Sequence, residues 1–282
     1  MLRGRNGLSV YQEISGEYPP YKSKEENHCM KKPLKKTIQS VDRALMILEQ
    51  FSVSEKEIGL SDLANRTGLK RTTCFGLAET LLAKGYLGFN ELNSHYRLGI
   101  KNFERGQVYS QGMELRELAK PYIQGLSDKY GQTVHLFIPD DFDAVYIDKM
   151  GEHDSFRIRS RIGMRAERFC TAVSKIILSH LEDERLDQIL PERIKKNTDN
   201  TITDTKAYRE ILRLVQQKGY ALDQEELEIG LVCIATPIYN QREKLIGAIS
   251  MSGNAVEMMK SADQAIIDIK STAANISKQT GD

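Results

Sequence analysis

Residues 59–99 read GLSDLANRTGLKRTTCFGLAETLLAKGYLGFNELNSHYRLG, and their punctuation decides the fold of the N-terminal part of the chain. A first helix is predicted from an N-cap at Ser61 through Leu63 and Ala64 to Thr67, where Gly68 supplies the left-handed residue that ends it. A second begins near Lys70 and carries Cys74, Leu77, Leu81 and Leu82 at helical spacing until Gly85 stops it. With that apolar face packed on the first helix, Arg71, Thr72, Thr73 and Phe75 turn outward near the N-terminus of the second. Two aromatic-rich strand candidates follow, at 86–89 and 96–98, separated by the turn formers Asn90, Asn93 and Ser94. Helix, glycine turn, helix and hairpin in that order predict a winged helix-turn-helix. Such a module would offer Arg71, Thr72, Thr73 and Phe75 to the major groove of duplex DNA, and His95 and Arg97 of the wing to the phosphate backbone.

Upstream, residues 40–49 (SVDRALMILE) form a capped amphipathic pattern. Val41, Ala44, Leu45, Leu48 and Phe51 share one helical face, which makes this the third helix that a small core needs. Helix-turn-helix patterns also occur in modules that bind only protein, so charge bears on the choice. Residues 31–105 hold 13 Lys or Arg against 8 Asp or Glu, a net of +5, whereas residues 106–282 hold 23 against 27, a net of −4. The overall formal charge of +1 thus conceals a basic module joined to an acidic one. Phosphate neutralisation drives most of the affinity of DNA-binding domains, so the asymmetry supports DNA as the partner.

With 282 residues, 40% hydrophobic and 28% charged, the chain is an ordinary globular one with room for two cores. No apolar run approaches the roughly 18 residues of a membrane helix, and the N-terminus lacks the apolar segment of a signal peptide. A cytoplasmic protein with no membrane partner is expected. Cys29, Cys74, Cys170 and Cys233 lie far apart, and the five histidines never fall at i, i+4. Neither a disulfide framework, a metal site nor a cofactor is expected. The first 30 residues are polar and aperiodic, and a disordered tail is expected to about residue 35. Met30 directly precedes KKPLKK and the first predicted helix, so translation from Met30, as an alternative to Met1, would yield every recognisable element.

The second half alternates differently. Residues 100–131 are helical in pattern, with Leu115, Leu118, Ala119, Tyr122, Ile123 and Leu126 recurring every three or four positions and Pro121 placed to kink or begin a helix. Strands are predicted at 133–138, 144–147 and 156–162, and a helix at 171–181. After a polar loop at 191–204 come a helix at 205–218, strands at 231–238 and 245–252 joined by a turn at Asn240-Gln241, and a closing helix at 261–279. Strands in succession with helices around them indicate an α+β domain with an antiparallel sheet. No Gly-x-Gly-x-x-Gly or Walker loop is present.

The blocks SVDRALMILEQF, LSDLANRTGLKRTT, AKGYLGFNELNSHYRLG, TVHLFIPDDFDAVYIDKM, KGYALDQEELEIGLVCIATPIYN and LIGAISMSG, in one order over roughly residues 37–280, resemble the IclR family of bacterial transcriptional regulators. The resemblance implies a winged helix-turn-helix at 36–100, a helical linker at 101–118 and a GAF-like effector domain with an antiparallel sheet at 119–282. It also implies a homodimer or homotetramer that represses a catabolic operon, an activator being the alternative, under control of a small acidic metabolite. By position, the effector residues would be Ile158, Thr171, Ala172, Asp223, Cys233, Ser250 and Ser252. Ser250 and Ser252, two apart, would face one side of a strand, and backbone N–H groups at the start of the 171–181 helix could receive an anion. For Cys233, a small buried core residue is the plainer expectation.

Two departures from the family pattern stand out. Gly76 occupies a position where the family commonly has arginine, which leaves a close backbone approach to DNA or to the preceding helix as its role. Before the 171–181 helix, Glu167, Phe169 and Ser174-Lys175 replace the family's Pro-x-His and Gly-Lys segments. Nearby, Arg157, Arg159 and Arg161 alternate on one predicted strand, with Arg165 and Arg168 beyond. They would either attract an anionic effector or form a solvated or subunit-facing strand surface. An enzyme built on Cys170, Lys175 and His180 is not expected, because Cys170 and His180 are ten residues apart, about 15 Å along one helix, without an orienting carboxylate. A winged-helix scaffold for protein alone would show no salt-dependent DNA affinity.

Overall fold

Left-handed glycines separate the elements of the N-terminal unit. In the computed structural model, which describes residues 37–151 and 160–281, the chain divides between Met113 and Glu114. The first unit opens with α1 (Gln39–Leu48), β1 (Glu57–Gly59), α2 (Leu60–Thr67) and α3 (Arg71–Ala83). Gly68 (φ 65°) ends α2, and Gly85 (φ 77°) follows α3. Helix α2 begins one residue before Ser61 with Gly59 at the N-cap, so Ser61 sits inside the first turn instead of capping it. The wing is the hairpin β2 (Leu87–Asn90) and β3 (His95–Leu98), and β1 adds a third strand in the order β1-β3-β2. That strand has three residues with one inward side chain, Ile58, too short for periodicity to announce. Ile47, Ile58, Leu63, Cys74, Ala78, Leu87 and Tyr96 form the core.

The face that α1 buries differs from the expected one. Two apolar stripes overlap on this helix, and the core takes Ile47 with Leu48 and Phe51. Val41 and Leu45, expected inward, are 54% and 52% exposed and continue from Ile38 as an uncovered stripe. The unit ends with α4 (Ile100–Gln111), which buries none of its residues. Gly99 at its N-cap is required by space: a Cβ there would stand 2.2 Å from the carbonyl oxygen of Gly85.

The second unit runs α5 (Glu114–Tyr130), β4 (Thr133–Asp140), β5 (Asp143–Met150), α6 (Ala172–Leu178), α7 (Asp183–Asp187), α8 (Thr205–Lys218), β6 (Ala221–Gln224), β7 (Leu231–Tyr239), β8 (Leu245–Asn254), α9 (Ala255–Lys260) and α10 (Ala262–Ser277). Its five strands form one antiparallel sheet in the order β5-β4-β8-β7-β6. Helices α5 and α10 cover one face, and α6, backed by α8, covers the other. The α+β class with an antiparallel sheet is therefore present.

Several elements differ from the sequence expectation. Helix α5 runs unbroken through Pro121, and the helical segment breaks instead at residues 112–113. Helix α6 stops at Leu178 because Ser179 Oγ and His180 Nδ1 both bond the Ile176 carbonyl, competing with continued helix. Strand β6 at the sheet edge was not expected. Of the strand expected at 156–162, residues 156–159 lie outside the described residues and 160–162 form no strand. The expected tail at 1–35 and the alternative start at Met30 also lie outside them. No described helix is long and apolar enough to cross a membrane.

Candidate functional site

In the N-terminal unit the packing of α3 determines which side chains reach solvent. Cys74 and Ala78 are buried against α1 and α2, so Arg71, Thr72, Phe75 and Gly76 are exposed around the first turns and Thr73 is partly exposed. Lys70 caps the helix without a side-chain hydrogen bond, so its first amides have no side chain closing them off. On the wing, Arg97 is exposed and its side chain lies over Gly88, where a Cβ would approach Arg97 Nε to 3.2 Å. His95 is partly buried above Gly59, with Nδ1 2.6 Å from the Asn93 carbonyl. A basic helix start and a basic wing thus lie on the solvent side of one small module. A Cβ on Gly76 would meet nothing within 4 Å, so crowding against the preceding helix does not explain this glycine.

In the C-terminal unit the antiparallel register assembles a polar row. Asp223 of β6 pairs with Cys233 of β7, Cys233 with Ser252 of β8, and Ser252 with Thr133 of β4. One step along the same face, Ala235, Ser250 and His135 form a second row, and Phe137 with Tyr146 of β5 forms a third. Strand alternation puts these rows on one side of the sheet. It is the α6 side, because residues 247 and 253 of the opposite parity face Leu115 of α5 and Gln132 beyond it. Asp223, Cys233, Ser250 and Ser252, four residues expected to line an effector site, are thereby brought together and buried. Ile158 lies outside the described residues. Thr171 and Ala172 open α6, but Thr171 Oγ1 already accepts from the Ser174 amide at 3.3 Å and bonds the Glu167 carbonyl at 2.9 Å. Helix α6 has seven residues, and of its first amides the Thr171 side chain takes that of Ser174.

A charged cluster that sequence reasoning missed sits beside this row. Lys175, wholly buried within α6, donates to the Leu222 carbonyl at 2.7 Å and pairs with Glu226 in the loop after β6. Its sequence signal is a lysine inside the apolar run AVSKIIL; Glu226, within an acidic run, gave none. Asp223 Oδ1 accepts from the Glu226 amide at 2.9 Å, while Oδ2 of Asp223 and Oε2 of Glu226 have no hydrogen-bond partner. Burial, only partly offset by Lys175, pushes the Asp223 carboxyl up to about 7. Burial likewise raises Glu226, against the pull of Lys175. His135 is the counterpart: burial, aided by Lys149, depresses it to about 3, with Nε2 2.7 Å from Ser160 Oγ and Nδ1 unpartnered. Burial raises the Tyr146 hydroxyl, with added contributions from Cys233 and Asp223, which places the ring beside the polar row.

The remaining candidates fall elsewhere. Arg165 pairs with Asp140 and Asp143, and Arg168 bonds Asp143 Oδ1 at 2.6 and 2.8 Å, so both are held by carboxylates at the β4–β5 turn. Arg161 is exposed, and Arg157 and Arg159 lie outside the described residues. Cys170 is a buried thiol raised by desolvation to about 12 and bonded by Asn197 Nδ2 at 3.0 Å. His180 is lowered by burial and bonds Tyr239 Oη at 2.7 Å. A thiol held protonated and an imidazole engaged elsewhere form no nucleophile and base.

Comparison with known proteins matches both units. A family model described as the IclR helix-turn-helix domain matches residues 40–91, and one described as bacterial transcriptional regulator IclR C-terminal matches residues 107–278. The HTH-type transcriptional regulator XynR of Escherichia coli (strain K12) is 36% identical over 216 residues, covering 76% of this chain and 86% of that protein. A transcriptional regulator from Rhodococcus sp. RHA1 superposes with a TM-score of 0.73 at 26% identity over 86% of this chain and 98% of that one. An IclR homolog from Microbacterium hydrocarbonoxydans, solved in complex with 4-hydroxybenzoate, shares the fold with a TM-score of 0.75 at 20% identity, covering 85% and 98% of the two chains.

Proposed function

The chain belongs to the IclR family of bacterial transcriptional regulators, and from that premise we propose that it is a repressor of a catabolic operon, released from its operator by a small acidic metabolite. It is a helix-turn-helix regulator and not an enzyme. We assign operator contact to Arg71, Thr72, Thr73 and Phe75 on α3, with Arg97 and His95 of the wing on the flanking phosphates. The observation that carries this reading is the exposure of Arg71, Thr72 and Phe75 on the side of α3 opposite its buried Cys74 and Ala78. Effector binding is assigned to the α6 side of the sheet around Asp223, Cys233, Ser250 and Ser252, with Thr171 and Ala172 at the start of α6 and Ile158 as a further contributor. The related homolog bound to 4-hydroxybenzoate supports a small organic ligand. A homodimer or homotetramer is the proposed working state, and the cytoplasm its proposed compartment.

Fluorescence anisotropy on the gene's own upstream region tests the assignment. Arg71→Ala is expected to weaken binding by about 1–3 kcal/mol, roughly five- to 150-fold, with the fold intact because the side chain is exposed. Wild-type affinity should fall steeply with salt, because the counterions displaced from the DNA on binding are released into an ever more concentrated bulk. Unchanged affinity in Arg71→Ala, or salt-independent binding, would remove α3 as the reading helix. Metabolites from neighbouring pathways, added to the preformed complex, should release the DNA; tighter binding instead of release would overturn the proposed mode of control.

Gly76 offers a separate readout. Its site has room for a methyl group, so Gly76→Ala should stabilise the N-terminal unit by about 1 kcal/mol in thermal melts. A simultaneous loss of operator affinity would show that DNA backbone approaches this position. Unchanged or tighter binding would leave the glycine without a role at the interface.

A further inference from the structure

The tip of the wing combines a tightly held backbone with a bare leucine. Residues 91–94 connect β2 to β3, since Asn90 and His95 are the last pair of the hairpin. Asn90 Oδ1 accepts from the Leu92 amide and Asn93 Oδ1 from the His95 amide, both at 3.1 Å. The side-chain amides of Asn90 and Asn93 then donate to one carboxylate, that of Glu57 on β1, at 3.2 and 2.7 Å. Asn93 and Asn90 hold Glu57 below the ordinary carboxylate range, so this clasp is charged at neutral pH. Ser94 completes the turn in the left-handed region, at φ 57°. Both asparagines thus fold back on the wing, while Leu92 stands away from it, 99% exposed.

A single leucine on a surface is ordinary, but this one stands at the projecting end of a DNA-binding module. The tip carries no cation. Glu91 is the one charged residue among 91–94, and phosphates repel it, whereas His95 and Arg97 lie behind it on β3. Phosphate neutralisation therefore gives the tip nothing. A leucine gains only where it leaves water for another apolar surface, and duplex DNA offers that in the sugars of the minor groove and the base faces of an opened step. The minor groove, about 6 Å wide, admits a side chain but not a helix.

Resting on the operator assignment above, we propose that Leu92 is an apolar wedge, held at the wing tip by Glu57, that enters the minor groove and unstacks a flexible pyrimidine–purine step. The wing then does more than bind phosphate. It selects operators by how readily that step opens, a preference carried by DNA deformability and not by hydrogen bonds to bases. Glu57 is a positioning residue, because it bonds the loop and not the DNA.

The full chain on the gene's own upstream region tests this by anisotropy, with 2-aminopurine placed in turn at each adenine of the footprint to report unstacking. One position beneath the wing is expected to brighten on binding. Leu92→Ser, at a side chain 99% exposed and so without cost to the fold, should lose that signal. It should also weaken operator binding about tenfold. Its salt slope should stay that of wild type, because no phosphate contact is lost. Leu92→Met should keep both signal and affinity. Arg97→Ala, by contrast, should reduce the salt slope by about 1 and keep the signal. Glu57→Ala removes a negative charge, which alone would tighten binding. Weaker binding without the signal, in protein shown folded by circular dichroism, would establish the clasp, and tighter binding with the signal intact would overturn it. A wild-type response flat across the footprint would overturn the unstacking. If Leu92→Ser changes nothing while Arg71→Ala weakens binding, the wedge falls, α3 stands as the reading helix and a protein partner becomes the occupant of the tip. No effect of either variant would overturn the wedge and the operator assignment together.

Discussion

Lys175→Met is expected to destabilise the C-terminal unit by about 3–5 kcal/mol, measured by urea denaturation at pH 8. The lysine is wholly buried, and its ammonium is the positive partner of Glu226 and the nearest compensating charge to Asp223. Removing it leaves two buried carboxylates facing each other with nothing to offset their charge. Those carboxyls can escape by taking up protons, so the loss should be smaller at pH 5 than at pH 8. Removing the partner as well, in Lys175→Met with Glu226→Met, should recover most of the stability, since well-packed apolar side chains commonly replace a buried ion pair at little cost. A single variant within about 1 kcal/mol of wild type, or a double variant no better than the single, would show that the pair has little structural weight.

This buried pair also marks where sequence reasoning loses its grip. The winged helix was legible because its signals are local: glycines at the helix ends, a 3.6-residue apolar period in α3, and turn formers between the wing strands. Its errors were local as well. Helix α1 carries two overlapping apolar stripes, and periodicity alone cannot say which one the core takes; Ile47 won, leaving Val41 and Leu45 exposed. Strand β1 is three residues long and exists because β3 offers it an edge, a non-local cause.

In the C-terminal unit, strand alternation placed Ser250 and Ser252 on one face, and family position supplied Asp223 and Cys233. The register of β6, β7 and β8 is what joins them, and no period in the sequence encodes register between strands 10 to 30 residues apart. Lys175 and Glu226 are 51 residues apart, so their pairing was invisible although the lysine's apolar neighbours were not. The helix expected to reach Leu181 stopped at Leu178 for side-chain reasons, Ser179 and His180 both bonding one carbonyl. Propensity scales weigh such residues singly and miss their joint effect.

The polar face should also reveal itself in the pH dependence of stability, through two buried groups that titrate in opposite senses. Asp223 is raised from 3.8 to about 7 on folding, so its contribution is present in full below about 3.8 and is lost as pH rises to about 7. His135 is depressed from 6.5 to about 3, so its contribution is present above about 6.5 and is lost as pH falls towards 3. Glu226, raised, acts with Asp223, and His180, lowered, acts with His135. Between about pH 4 and 6.5 the two limbs oppose each other, each with a slope of about 1.4 kcal/mol per pH unit, and the wild-type profile should be shallow there. Asp223→Asn removes one limb. Relative to wild type, the variant should therefore gain about 2–3 kcal/mol between pH 4.5 and 7 in urea melts taken at half-unit steps. A difference that stays constant across this range would mean that Asp223 ionises in the folded protein as it does in water.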